Sequence, residues 1–331
     1  MDPPKQFPIL RLPFLAMEEV FKAMHPIEII NLSMISKRAI AITKQMSFCP
    51  KYFIRLCIDE TLVIEMHGTN RLVSCTYLMT SDKRMDGKIE EYGCDGYIVR
   101  RIYKYSTDPI EEWKQLSKHV LEIFKKLTID VLTLYMDEFV DQNISIIDFL
   151  RTNVKSVDLC YLFQSEDEND VDEHTAYLLS NLKVNNELNF SLDIKNVNFD
   201  GKIPKNLKEL HILNSHWIGY EKLLEIDCEH VSLRDNQISN EEWNMFLKKW
   251  IAMETHLNLE FLKLGFKDSE EFKALVLHDI PHEVVDGAVK RNLIIFPDET
   301  DEINGGIDIR RIDGKTGTFF VQCNVFSMSV N

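Results

Sequence analysis

A pattern of apolar residues recurs between residues 129 and 267, and it constrains the fold more than any other feature of the sequence. In its fullest form it reads Leu-x-x-Leu-x-Leu, and stretches with the apolar spacing of a helix lie between the copies. Parallel strands need a crossover connection, so the pattern predicts one strand and one helix per unit. The copies begin at Ile129, Val154, Leu207, Cys228 and Leu259, with a degenerate copy at Leu188.

The spacing of these copies favours a solenoid. They are separated by roughly 21 to 31 residues, which overlaps the range of leucine-rich repeats. The asparagine that ends a typical leucine-rich repeat strand is present at Asn236, and Asp137 takes the equivalent position in the first copy. The alternative is an ordinary α/β domain whose buried parallel strands have the same spacing. We predict a leucine-rich-repeat-like region over 129–277, with that alternative left open.

The strands of this region also predict a recognition surface. Side chains alternate along a strand, so the residue between the last two apolar positions of each copy should face away from the core. These residues are mostly polar and mixed in charge, which suits a protein-binding face and equally a solvated one. The candidates are Thr133, Asp158, Asn189, His211, Ser232 and Lys263.

The start of the chain is unusually apolar. Of the 29 positions from Phe7 to Ile35, 18 are apolar, more than three short helices need for a core of their own. Pro13 and Pro26 are suited to the first turn of a helix, and Ser36 is suited to cap a third. The segment could be a helical cap over the following domain, or a helical hairpin that inserts into a groove of a partner.

The residues of this segment also closely resemble the F-box. The shared features are the Leu12-Pro13 pair, the proline between two helices at Pro26, and the ending Leu32-Ser33-x-x-Ser36-Lys37-Arg38. The resemblance implies that the segment binds the Skp adaptor of cullin-RING (SCF) ubiquitin ligases. The residues it implies as adaptor contacts are Leu10, Leu12, Pro13, Leu15, Val20, Phe21, Pro26, Ile29, Ile30, Leu32, Ser36 and Lys37.

Residues 49–128 have a sequence pattern typical of β-strands. Four runs rich in β-branched and aromatic residues, separated by polar turns, predict a small antiparallel sheet. Asp108 and Pro109 then begin a helix, as cap and first-turn residue. The four predicted strands cover 52–58, 61–66, 72–79 and 97–103.

A second segment carries a family resemblance. Ser239 and Glu242 form a capping-box pattern ahead of an apolar helix face that contains Trp243 and Trp250. Together with the strand pattern from Leu259 to Leu264, this segment resembles the type 2 F-box-associated domain of nematode F-box proteins. The run from Gly306 to Val321 is similar to the terminal hairpin of those proteins. The resemblance implies a subunit that recruits a substrate.

Composition excludes several classes of function. The net charge is −15, and an acidic body repels the phosphate backbone of nucleic acids. Seven cysteines are scattered singly, which indicates reduced thiols, and neither a membrane span nor a secretory signal is expected. The acidic run 166–173 lacks the glycine and terminal glutamate of a calcium loop, and no nucleotide-binding or nucleophile motif occurs. We therefore expect no cofactor, no metal site and no catalytic residue.

These observations combine into one prediction. The chain is expected to be an α/β protein with a three-helix F-box (1–48) and a substrate-binding body (49–331). The body comprises a small antiparallel sheet and helix (49–128), the leucine-rich-repeat-like region (129–277) and a C-terminal β segment (278–331). Its expected function is substrate recognition in an SCF-type ubiquitin ligase in the cytoplasm, the nucleus or both, with a Skp-type adaptor, a cullin-RING scaffold and a target protein as partners. The alternative is a protein-binding module with a helical cap and no link to a ligase.

Overall fold

The computed structural model describes residues 9–46, 52–68, 73–94, 97–166, 168–264, 269–296, 299–322 and 325–331. Phe7, at the start of the apolar N-terminal segment, lies outside the described residues. The chain divides into two compact units. The N-terminal unit comprises residues 1–134 and 148–157, and the C-terminal unit comprises residues 135–147 and 158–331.

Helices open the N-terminal unit, and their starts follow from the sequence. Pro26 lies in the first turn of its helix. The hydroxyl of Ser36 accepts a hydrogen bond from the backbone N–H of Ala39 at 3.1 Å, and the carboxylate of Asp108 accepts one from Glu111 at 3.0 Å, as expected of N-cap residues. After a 3₁₀ turn at Ile9–Arg11, the helices are α1 (Phe14–Ala23), α2 (Pro26–Met34), α3 (Lys37–Gln45) and α4 (Pro109–Ile123).

The sheet of this unit is mixed, which corrects the purely antiparallel sheet predicted from the sequence. Its strands are β1 (Tyr52–Ile58), β2 (Leu62–Gly68), β3 (Val73–Thr80), β4 (Ile89–Cys94), β5 (Tyr97–Tyr105) and β6 (Thr128–Tyr135), in the order β6-β1-β2-β3-β5-β4. β3 and β5 pair in parallel. Between them in the chain lies β4, a strand that was not predicted, and it runs antiparallel to β5. β1 and β6 are also parallel.

A single tryptophan connects α4 to this sheet. Trp113 is fully buried, and its indole N–H donates to the carbonyl of Val63 on β2 at 3.1 Å. The edge of its ring faces Phe149, with 5.6 Å between the ring centroids. The buried N–H therefore has the partner that a large aromatic residue in a core requires.

The C-terminal unit contains the parallel run that the repeat pattern predicted. Its register places Leu188, Leu210, Val231 and Leu262 side by side, each at most 1% exposed. Helices separate most of the strands in the chain, but no helix lies between β8 and β9. Residues of both units occur in α5 (Asn143–Asn153) and β7 (Ser156–Phe163). The other elements are α6 (Asp172–Asn181), β8 (Val184–Ser191), β9 (Glu209–Ile212), α7 (Tyr220–Glu225), β10 (His230–Leu233), α8 (Asn240–Ile251) and β11 (Phe261–Leu264).

An antiparallel half extends this sheet. The strands β12 (His282–Phe296), β13 (Glu299–Arg310), β14 (Thr316–Gln322) and β15 (Val325–Val330) follow a short helix α9 (Ser269–Glu271) and a π-helical turn (Phe272–Val276). β15 pairs with β11, and β13 and β14 form the hairpin predicted from Gly306 to Val321. The sheet is open, with β12 at its edge. The α/β class is thus confirmed; a leucine-rich-repeat solenoid is not established, because parallel strands continue into antiparallel ones.

Helix α8 confirms the predicted capping box and apolar face. The hydroxyl of Ser239 accepts from the N–H of Glu242 at 3.2 Å, and the Glu242 carboxylate accepts from the N–H of Ser239 at 2.8 Å. Trp243 and Trp250 are buried. The Trp250 ring lies so close to Gly317 on β14 that an added Cβ would be 3.1 Å from it. Glycine at this position lets the strand approach the aromatic core.

Two expectations from composition can be compared with the described residues. Cys57, Cys75, Cys160 and Cys228 are buried and unpaired, as predicted for packing thiols. Among the described helices, none has the length and apolar character needed to cross a membrane.

Loss of the α8 cap should destabilise the protein. Ser239→Ala removes the acceptor for the N–H of Glu242, and N-cap substitutions of this kind cost about 1 kcal/mol. We expect the free energy of unfolding, measured by urea denaturation, to fall by about that amount. Ser239→Asp retains an acceptor and should remain close to the wild type; equal losses in both variants would contradict the capping role.

The stability of the C-terminal unit should depend on pH through His256. Burial lowers the pKa of this imidazole from 6.5 to about 4, so between these values the unfolded chain binds a proton that the folded chain does not. The free energy of unfolding should therefore fall as the pH is lowered, by about 2 kcal/mol from this residue between pH 7 and pH 5.

The comparison of two histidine variants tests this effect. His256→Asn should reduce the drop in unfolding free energy between pH 7 and pH 5, whatever it does to absolute stability. His278→Asn, at an exposed histidine, serves as the matched control and should leave the drop unchanged. An unaltered pH dependence in His256→Asn would refute the assignment.

Candidate protein-interaction surfaces

Four large apolar side chains of the N-terminal helices are exposed. Leu15 is 74% exposed and Ile35 73%, and Phe14 and Met34 are exposed to about half. We call these four residues the exposed apolar surface. They form two consecutive pairs, Phe14 with Leu15 and Met34 with Ile35. Single exposed apolar residues are common, whereas apolar side chains that cluster on a surface mark a candidate site for another protein.

One hydrogen bond links the start of α3 to the turn before α1. The guanidinium of Arg38 donates to the carbonyl of Leu10 at 3.1 Å. Leu10 precedes Phe14 by four residues, and Arg38 follows Ile35 by three residues. The bond therefore connects the two segments that flank the exposed residues.

The residues implied as adaptor contacts divide by burial. Phe21, Pro26, Ile29 and Ile30 are buried within the N-terminal unit, so they hold the helices in place. The remaining residues keep accessible surface. Leu10, Leu12, Val20 and Leu32 are half-buried, whereas Pro13, Leu15, Ser36 and Lys37 are exposed.

The helices also dock on the rest of the N-terminal unit. The hydroxyl of Ser33 on α2 lies 2.8 Å from Nε2 of His119 on α4. Lys44 on α3 forms an ion pair with Glu122 on α4 at 2.7 Å. Burial lowers the pKa of His119, and the hydrogen bond from Lys44 lowers the pKa of Glu122. The side chains of α2 and α3 that contact α4 are therefore different from the four residues of the exposed apolar surface.

The C-terminal unit brings four of the predicted recognition residues into one row. Asn189 pairs with His211, His211 with Ser232, and Ser232 with Lys263 across adjacent strands. All four are half-buried. The row offers an amide, an imidazole, a hydroxyl and an ammonium group at successive strands, which suits hydrogen bonding to a polypeptide.

The other two predicted recognition residues differ from this row. Asp158 on β7 is half-buried, and its carboxylate accepts a hydrogen bond from the side chain of Asn185 at 2.8 Å. Thr133, in the N-terminal unit, is only 3% exposed. Its hydroxyl accepts a hydrogen bond from Arg55 on the neighbouring strand β1 at 3.3 Å, so its polar group is already engaged inside its own unit.

A second row on the same face was missed from the sequence. Glu187 and Glu209 lie two residues before Asn189 and His211, so their side chains share the face of the first row. One donor atom each from Glu187, Glu209 and His211 lies within 4.8 Å of the others, an arrangement that could hold a metal ion. The same alternation of side chains, applied two residues before Asn189 and His211, would have identified Glu187 and Glu209.

A cavity of about 740 Å³ lies elsewhere in the C-terminal unit. Lys202, Lys205 and Lys222 line it, together with Asp200 and Glu225. The ammonium of Lys222 lies over the ring of Trp217, 4.8 Å from its centroid, and it has no hydrogen-bond partner among the described residues. Burial lowers the pKa of this lysine. The cavity is a recess of mixed charge within the predicted substrate-binding body.

Comparison with known proteins adds evidence for the C-terminal unit. Residues 198–264, which span β9 to β11, match the family described as F-box associated. The match does not extend to the N-terminal helices. No solved structure matches the chain.

Two relatives come from Caenorhabditis elegans. The Skn-1 dependent zygotic transcript 15 protein is 22% identical over 276 residues, which cover 75% of this chain and 76% of the relative. The uncharacterized protein F59B2.9 is 21% identical over an alignment that covers 96% of this chain and 76% of the relative. The comparisons therefore support an F-box associated segment at 198–264, in a chain that is similar over most of its length to nematode proteins.

Proposed function

We propose that this chain is a substrate-recognition subunit of an SCF-type ubiquitin ligase. The N-terminal helices bind a Skp-type adaptor and, through it, a cullin-RING scaffold, and the body binds a target protein. The observation that carries the proposal is the exposure of Leu15 and Ile35 within a segment that has the Leu-Pro and Ser-Lys-Arg features of the F-box. The F-box associated match at 198–264 supports it independently.

Burial refines the proposed adaptor interface. A residue that is fully buried in the free chain gains no further burial on binding, so Phe21, Ile29 and Ile30 act as the support of the interface. The contacts come from residues with accessible surface. We assign these to Leu10, Leu12, Pro13, Leu15, Val20, Leu32, Ser36 and Lys37, with Phe14, Met34 and Ile35 added from their exposure.

The proposed contribution to chemistry is effective concentration. A target held on the body and a conjugating enzyme held through the scaffold react as parts of one complex, so transfer to the target lysine becomes quasi-intramolecular. No catalytic residue is required of this chain. The row from Asn189 to Lys263 is the proposed target-binding face, because it presents four different polar groups on adjacent strands. The free buried thiols suit the proposed cytoplasmic or nuclear location.

A second candidate function is a protein-binding module in which the helices only cap the body. The docking of α2 and α3 on α4, through Ser33 with His119 and Lys44 with Glu122, favours it. A helical segment that only caps the body needs no apolar side chains on its solvent side. The exposure of Leu15 and Ile35 to water is unfavourable unless another molecule covers them. We therefore place the adaptor-binding function first.

Charge substitutions on the exposed apolar surface test the proposal. Leu15→Asp and Ile35→Asp should each weaken co-purification with a Skp-type adaptor at least tenfold, because a carboxylate would be desolvated in the interface. Both side chains are exposed in the free chain, so the melting temperature should change little.

Ile312→Asp provides the matched control. Ile312 is 72% exposed in the C-terminal unit, and its substitution should leave adaptor binding unchanged. A wild-type chain that binds no Skp-type adaptor would remove the link to a ligase and leave the capped module. Retained binding in both Leu15→Asp and Ile35→Asp would show that the interface lies elsewhere.

A further inference from the structure

The strand face of the C-terminal unit carries an unusual concentration of metal-ligating side chains. Glu187 on β8 pairs with Glu209 on β9, and Glu209 pairs with His230 on β10. His211 lies two residues beyond Glu209 on the same strand and therefore on the same face. Four residues of ligating type thus come from three adjacent parallel strands.

The donor atoms of this group are close together. One ligand atom each from Glu187, Glu209 and His211 lies within 4.8 Å of the other two. Nε2 of His211 is 3.4 Å from a carboxylate oxygen of Glu209. Their side chains are 27% and 23% exposed, so the group is shielded but open to solvent on one side. An ion can therefore reach it without rearrangement of the sheet.

The charges of the two glutamates are incompletely balanced. Among the residues that the structure describes, neither Glu187 nor Glu209 forms an ion pair with a lysine or arginine, and the ion-pair partner of Glu209 is His211. Two half-buried carboxylates at this separation repel each other, and a bound cation would remove that cost.

A tyrosine hydroxyl orients one of the carboxylates. The hydroxyl of Tyr161 on β7 donates a hydrogen bond to Oε2 of Glu187 at 3.2 Å. Ligating carboxylates are commonly oriented by such an outer partner, and loss of the partner weakens metal binding. The bond leaves the second carboxylate oxygen of Glu187 available as a ligand.

His230, the register partner of Glu209 on β10, has one nitrogen without a hydrogen-bond partner among the described residues. Its Nε2 lies 3.3 Å from a carboxylate oxygen of Glu260, which identifies Nε2 as the protonated nitrogen. Its Nδ1 is buried and has no hydrogen-bond partner among the described residues, and the residue is 4% exposed. A histidine with one nitrogen on a carboxylate and a free lone pair on the other has the arrangement that metal-binding histidines adopt.

We propose that Glu187, Glu209 and His211 bind a divalent transition-metal cation. Two carboxylates and one imidazole match the ligands of Zn²⁺ and related ions, whereas Ca²⁺ requires six to eight oxygen ligands. The ion fastens β8 to β9 and takes one ligand, His211, from the row that runs from Asn189 to Lys263. This site does not depend on the function proposed above.

Cobalt provides a direct probe of the site. The full-length chain is freed of metal by chelation, dialysed and titrated with Co²⁺, and visible absorption reports the coordination of the ion. We expect one equivalent to bind with a visible band typical of nitrogen and oxygen ligands, and Zn²⁺ to displace it. His211→Ala should weaken binding at least tenfold. Tyr161→Phe should weaken it about 10- to 100-fold, because it removes the hydrogen bond that orients Glu187.

A matched control separates this site from surface histidines. His278 is exposed and lies 3.0 Å from Asp279, so it is a plausible adventitious ligand; His278→Ala should retain the wild-type affinity. Glu187→Gln should raise the melting temperature of the metal-free chain, because it removes the repulsion, and abolish the further rise on adding Zn²⁺. Absence of stoichiometric binding, or equal binding in His211→Ala and the wild type, would overturn the proposal.

Discussion

The C-terminal unit depends on one register between its parallel strands. Leu188, Leu210, Val231 and Leu262 are neighbours across four strands and are buried to at least 99%. A shift of one residue in any strand would turn that strand's leucine or valine to the polar face and a charged or polar residue to the core. The same register therefore fixes both the hydrophobic layer and the order of the polar groups on the opposite face.

Much of this unit could be predicted because its signals are local. The spacing of apolar residues located β9, β10 and β11, and the Ser239 and Glu242 pair located the start of α8. These features arise within a few residues of sequence, where alternation and capping determine the structure. The family resemblance located the same region, and residues 198–264 match the F-box associated family.

Features that depend on distant residues were not predictable in this way. The parallel pairing of β3 and β5 depends on β4, a short strand whose pattern is weak. Thr133 is engaged by Arg55, which lies far from it in sequence. Glu187 and His211 meet because two strands align, although 23 residues separate them in the chain. The expectation of no metal site rested on motifs within one segment, so it did not address the site proposed across strands.

The exposed apolar surface has a consequence for the handling of the protein in solution. Leu15 and Ile35 remain in contact with water in the isolated chain, and two copies can lower that cost by covering each other. Self-association would then compete with the proposed partner and grow with the concentration of free chain. The supply of partner would set how much of the chain stays monomeric, which makes stoichiometric co-expression the natural way to prepare it.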